Sequence, residues 1–221
     1  MPSVPTPPSD PHTSQSDAGA QRPNATAHEP ATAILARTQG MSQMAREREF
    51  VALIQRGNVP LSTWDMVPIR YGLSAMADFL AVGTDGDFMW VPLTPMAAME
   101  VLAPRGMRLP HRDEADAIFA AARAQSGFVP FQAFSPMHGQ TRWGNTAIAS
   151  TRQRLEVERA GRKGLLDGHK KYVLGHAVVN GEGRVIIYGG HTYDGASVQP
   201  YSTVHADSYL DYSHGIRGVR V

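Results

Sequence analysis

Between Gly164 and Val221 the chain concentrates groups that can do chemistry: five of its nine histidines, His169, His176, His191, His205 and His214, stand there with Asp194, Asp211, Ser213 and Arg217. Most of these residues fall in or beside glycine-rich turns, where the ends of strands can converge on one mouth of a sheet. Two kinds of chemistry follow. Neutral imidazoles of His169, His191, His205 and His214, with Asp194 as carboxylate ligand, make a candidate set for zinc or another divalent metal, and three such ligands plus water form a hydrolytic centre. Their spacing does not match a compact signature such as His-Glu-x-x-His. Without a metal, His191 or His214 is a candidate general base, Asp211 its orienting carboxylate and Ser213 a nucleophile, while Lys170, Lys171 and Arg217 hold an anionic group of the substrate. The competing interpretation is that each histidine bonds a turn carbonyl or stacks on a nearby tyrosine. His176 lies inside an apolar run, where a packing role is expected.

The elements that must position these groups are legible from the periodicity. Seven of the sixteen prolines lie in residues 1–30, with few large apolar side chains, so this part is expected to be a disordered tail. Residues 31–45 are expected to be a frayed helical linker interrupted at Gly40, and residues 46–221 a single α+β domain with antiparallel sheets and flanking helices. Met44, Phe50, Val51 and Ile54 mark the apolar face of a helix that Gly57 and Pro60 stop. Strands are expected over 66–71, 76–84 and 88–91, with Asp85-Gly86 as a hairpin turn. Thr94-Pro95 announces a helix over 96–102, and Ala115, Ile118, Phe119 and Ala122 give another over 112–124, with His111 before its first turn.

The stretch from Ser126 to Asn145 is too apolar for a linker and too broken for a helix. It reads either as a lid carrying His138 toward a substrate, beside Arg142 and Trp143, or as a set of aromatic core plugs. An arginine-rich helix is expected over 147–163. Strands are expected over 172–179 and 184–188, joined by Asn180-Gly181-Glu182-Gly183, and again over 209–212 and 216–221.

Composition narrows the function classes. The absence of cysteine removes thiol nucleophiles, disulfides and thiolate-rich metal sites. With 21 Lys+Arg against 20 Asp+Glu, a dedicated nucleic-acid binder is not expected. No apolar run is long enough to span a bilayer, and the N-terminal residues lack the pattern of a secretory signal, which leaves the cytoplasm or a non-classical export route.

Two resemblances add to this reading. The segments GNVPLSTWDMVPI, RLPHRDEADAIFAAA, GHKKYVL, VIIYGGHTYDGASVQP and YLDYSHGIRGV resemble a group of uncharacterised bacterial proteins, which implies one domain beyond the tail. In that group GHKK is commonly followed by Asp, where this chain has Tyr172. Ser213-His214-Gly215-Ile216-Arg217 is similar to the active-site strand of L,D-transpeptidases, which act on peptidoglycan. In that family the position of Ile216 is the nucleophilic cysteine, so the resemblance implies a peptide or cell-wall substrate without the thiol mechanism. The resulting expectation is a hydrolase, metal-assisted or not, acting on such a substrate. The alternative is a non-catalytic module binding a glycan, a peptide or a partner, in either case compatible with an exported effector.

Overall fold

The computed structural model describes residues 28–70, 72–133, 145–162, 164–175 and 183–221. Three expectations lie outside them: the state of residues 1–27, the lid with His138, Arg142 and Trp143, and the placement of His176 and most of the 180–183 turn.

The described chain is an α+β domain in which five helices flank antiparallel and mixed sheets. Helix α1 (Ala31–Thr38) ends before Gly40, whose φ of 85° only glycine adopts without strain, and α2 (Gln43–Gln55) starts after Ser42, whose hydroxyl accepts the Ala45 N–H. The expected frayed linker over 31–45 is corrected here. Ala31, Ile34 and Thr38 are fully buried, and the Asn145 side-chain amide donates to the Leu35 carbonyl at 2.7 Å and to the Thr38 hydroxyl at 2.8 Å. Apolar residues three apart on a short helix find a core there rather than solvent. Ile34→Ala should therefore cost about 2–5 kcal/mol of unfolding free energy in urea titrations; a loose linker would show no change.

Strand β1 (Met66–Arg70) pairs with β2 (Leu73–Met76), which pairs with β9 (Val219–Arg220), all antiparallel. β3 (Ala81–Gly83) and β4 (Phe88–Trp90) form a separate hairpin across the expected Asp85-Gly86 turn. The single strand expected over 76–84 is thus two. Met76 N–H donates to the Gly218 carbonyl, Ala77 N–H to Asp65 and Leu80 N–H to Ile216, so the chain changes partners across Ala77–Leu80. This crossing puts Asp78 and Phe79 outside any ladder.

Helix α3 (Pro95–Leu102) begins after Thr94, whose hydroxyl accepts the Ala97 N–H, and α4 (Arg112–Ala124) buries Ala115, Ile118 and Ala122. The backbone N–H of His111 donates to Glu114 at the start of α4, at 2.8 Å. Helix α5 (Asn145–Arg159) buries Ala147, Ile148, Thr151 and Leu155.

The last sheet has the order β7-β6-β5-β8, from β5 (Lys171–Leu174), β6 (Arg184–His191), β7 (Ser197–Ala206) and β8 (His214–Gly215). β7 was not expected, because it is largely exposed on both faces and its polar residues and Pro200 hide any alternation. Over 209–212, where a strand was expected, the chain is irregular to residue 211 and then turns at 212–213 into β8. The one expected over 216–221 pairs only at Val219 and Arg220. Residues 214–220 therefore pass from one sheet to the other, and Arg217 sits at the seam. Among the described residues no helix is long and apolar enough to cross a membrane.

Candidate active site

β5 and β8 run parallel, with Lys171 opposite His214 and Tyr172 opposite Gly215, and Lys171 N–H donates to the Ser213 carbonyl at 2.9 Å. Two motifs far apart in sequence, GHKK and SHGIR, are thereby hydrogen-bonded neighbours. Gly215 is required by this approach: a Cβ there would come 2.5 Å from the Phe79 ring and 2.6 Å from Lys170 Cβ.

On one side of the pairing, His169 is 1% exposed, with its ring edge-on to Phe79 and Trp90 at 5.1 and 5.0 Å. Its Nε2 lies 3.2 Å from Asp78 Oδ1, off the line a hydrogen bond needs, and neither ring nitrogen completes one with the described residues. Burial lowers the His169 pKa against the pull of Asp78, so the imidazole is neutral at neutral pH. Burial pushes the Asp78 carboxyl the other way, but His169, Arg159 and Arg217 outweigh it and hold the group below the usual carboxylate range. The second oxygen of Asp78 lies 3.2 Å from the guanidinium of Arg159, which also spans the Phe88 ring at 4.7 Å.

Behind this group, Arg217 donates to the carbonyls of Met76 (2.7 Å) and Leu166 (2.5 Å) and lies 3.7 Å from Asp167, which accepts the Tyr172 hydroxyl at 2.8 Å. Arg217 is fully buried. Its expected contact with substrate is corrected to an internal one: the guanidinium ties residues 76, 166 and 167 to the seam.

Across the pairing, Asp211 accepts the N–H of Ser213 at 2.8 Å, the Ser213 hydroxyl, and the Tyr209 hydroxyl at 3.1 Å. Burial raises the Asp211 carboxyl, but His214, the Ser213 hydrogen bonds and Lys171 prevail and hold it at about 2. Burial lowers His214 to about 4, and Lys170, which donates to the Tyr212 carbonyl at 2.7 Å, to about 8. Ser213 and His214 are fully buried, so the expected nucleophile and base face protein.

The other expected residues are elsewhere. His191 stacks on Phe119 at 3.5 Å, its backbone held by Gly168 and Phe131. His205 stacks on Tyr209 at 3.8 Å, which in turn tilts toward His214 at 5.7 Å. Asp194 is exposed and closes a turn with Thr192 and Ala196. Among the described residues no three histidine or acidic side chains are grouped to hold a metal ion. The convergence anticipated for His169, His191, His205 and His214 is therefore not found: only His169 and His214 flank the β5–β8 pairing.

The cleft lies where no site residue was expected. A space of about 320 Å³ is lined by residues 60–63, Asp78, Phe79, Ala81, Asp85, Phe88 and Arg159. Asp78 thus connects the buried His169 to solvent. One signal for it existed: it is the lone charged residue in the run from Leu73 to Val82. Arg159 had none beyond its place at the end of an arginine-rich helix.

Both buried imidazoles make stability depend on pH. Their folded pKa values are depressed, so between about 4 and 6.5 for His214 the unfolded chain binds the proton that the folded chain does not. Stability should be full above the unfolded value and fall with pH through this window, by at most about 1.4 kcal/mol per pH unit for each histidine. Urea titrations at pH 7 and pH 5 should show the loss, and His214→Gln should make it smaller; an equal loss in the variant would contradict the assignment.

Comparison of the chain with known protein families, with curated proteins and with solved structures returned no match.

Proposed function

We propose that the protein is a hydrolase that cleaves a peptide-type bond in a substrate carrying a carboxylate, with peptidoglycan stem peptides as the substrate class. The observation that supports this reading is the position of Asp78 in the cleft, ionised, with a neutral imidazole 3.2 Å behind it and a guanidinium 3.2 Å beside it. Arg159 is the group to anchor the substrate carboxylate, since one guanidinium can serve two carboxylates. Asp78 removes a proton from water as the water oxygen bonds to the carbonyl carbon. The C–N bond then breaks and that proton passes to the departing amine. The Phe79 N–H, which donates to Asp78 Oδ1 at 2.7 Å, keeps the carboxylate oriented, and His169 offers a neighbouring site for the proton.

Muropeptides of defined structure, incubated with the full chain and followed by mass spectrometry, test this. The wild-type protein should release a peptide or amino acid, and Asp78→Asn should not. Binding without turnover, unchanged by Asp78→Asn, would support the recognition-module reading instead.

A further inference from the structure

We propose that the trough between α2 and α3 receives an amphipathic helix of another protein, with lysine or arginine flanking its apolar face. This does not depend on the hydrolase reading, because the trough is a different cavity from the cleft.

Along α2, Met44, Arg48, Val51 or Ala52, and Gln55 recur at steps of three or four residues and so form one stripe. α3 faces them with Met96, Ala97 and Met99. The space between is about 720 Å³, and an adjoining one of about 580 Å³ shares Met44, Glu47, Thr94 and Met96 and runs on to Asp207 and Ser208. At the N-terminal ends of the two helices Met44 is 61% and Met96 63% exposed, which for two large apolar side chains lining one trough marks an interaction surface. Methionine lets such a surface adapt to different apolar partners.

The rim decides the occupant. Among the described residues, Glu47, Glu100 and Asp207 line the trough against a single cation, Arg48. A second copy of this chain, packed by the same patch, would set these carboxylates against each other. A basic amphipathic helix satisfies both the floor and the rim. α2 spans 13 residues, about 20 Å, and α3 spans 8, about 12 Å, so a partner helix of about 13 residues can lie along α2 with α3 flanking part of it.

The probe is a fluorescein-labelled peptide of about 13 residues made of leucine and lysine, with leucines at helical spacing on one face. Its controls are a scrambled isomer and a leucine/glutamate analogue. Fluorescence anisotropy with the full chain should show binding of the first peptide only. Met44→Lys with Met96→Lys should weaken it by about tenfold or more, a change of about 1.4 kcal/mol, with the circular dichroism unchanged because both side chains are exposed. The proposal is overturned if the scrambled or acidic peptide binds as well, if the double variant binds like wild type, or if sedimentation shows a dimer that the double variant abolishes.

Discussion

Asp78→Asn should lower kcat for muropeptide hydrolysis by roughly 10²–10⁴-fold with little change in KM. The amide keeps the shape of the carboxylate and its oxygen can still face Arg159, so binding and packing survive. It cannot take a proton from water, so the chemical step does not. Arg159→Ala should do the reverse and raise KM, because it removes the anchor for the substrate carboxylate while Asp78 stays in the cleft beside His169. His169→Gln should lower kcat and also alter its pH dependence, since the imidazole acts through Asp78 and has 1% exposure of its own. A merely structural role for His169 would lower the amount of folded protein without moving the pH profile.

Arg217→Met should cost about 3–5 kcal/mol of stability, the loss expected when one partner of a buried charge arrangement is removed. The side chain is fully buried between two sheets, where it satisfies the Met76 and Leu166 carbonyls and faces the equally buried Asp167. Methionine fills part of the volume but leaves two carbonyls and a carboxylate without their cation. Arg217→Lys restores charge without the planar fork, and one ammonium serves this spread of acceptors less well, so only part of the loss should return. Equilibrium urea unfolding of the three proteins gives the comparison. Equal stability for Arg217→Met would mean that the seam is held by packing alone.

The parts of this architecture that local chemistry dictates were legible from the residues. Thr94 and Pro95 start α3, Gly40 separates α1 from α2, and the Asp85-Gly86 turn joins β3 to β4. The concentration of polar groups in GHKK and SHGIR was also legible, and the parallel pairing of β5 with β8 brings those two motifs together. What they face was not. Asp78 reaches His169 only because the chain between β2 and β3 switches hydrogen-bonding partners from Gly218 and Asp65 to Ile216, and no pattern of alternation reports such a switch. The same limit explains the expectation that all four histidines of the metal set would meet. His191 and His205 are as polar in sequence as His169, yet each is taken up by its own aromatic neighbour, Phe119 or Tyr209. Ile34 illustrates the opposite error, since a short segment behind a proline-rich stretch proved to be core because α5 supplies Asn145 to its carbonyl side.

The most direct test is muropeptide hydrolysis in water enriched in oxygen-18, with the product carboxylates read by mass spectrometry. The account predicts one labelled oxygen in each new carboxylate with the wild-type protein and almost no labelled product with Asp78→Asn. Equal labelling by the two proteins would contradict the assignment of the water-activating group to Asp78, and the absence of labelled product from the wild-type protein would contradict hydrolysis itself.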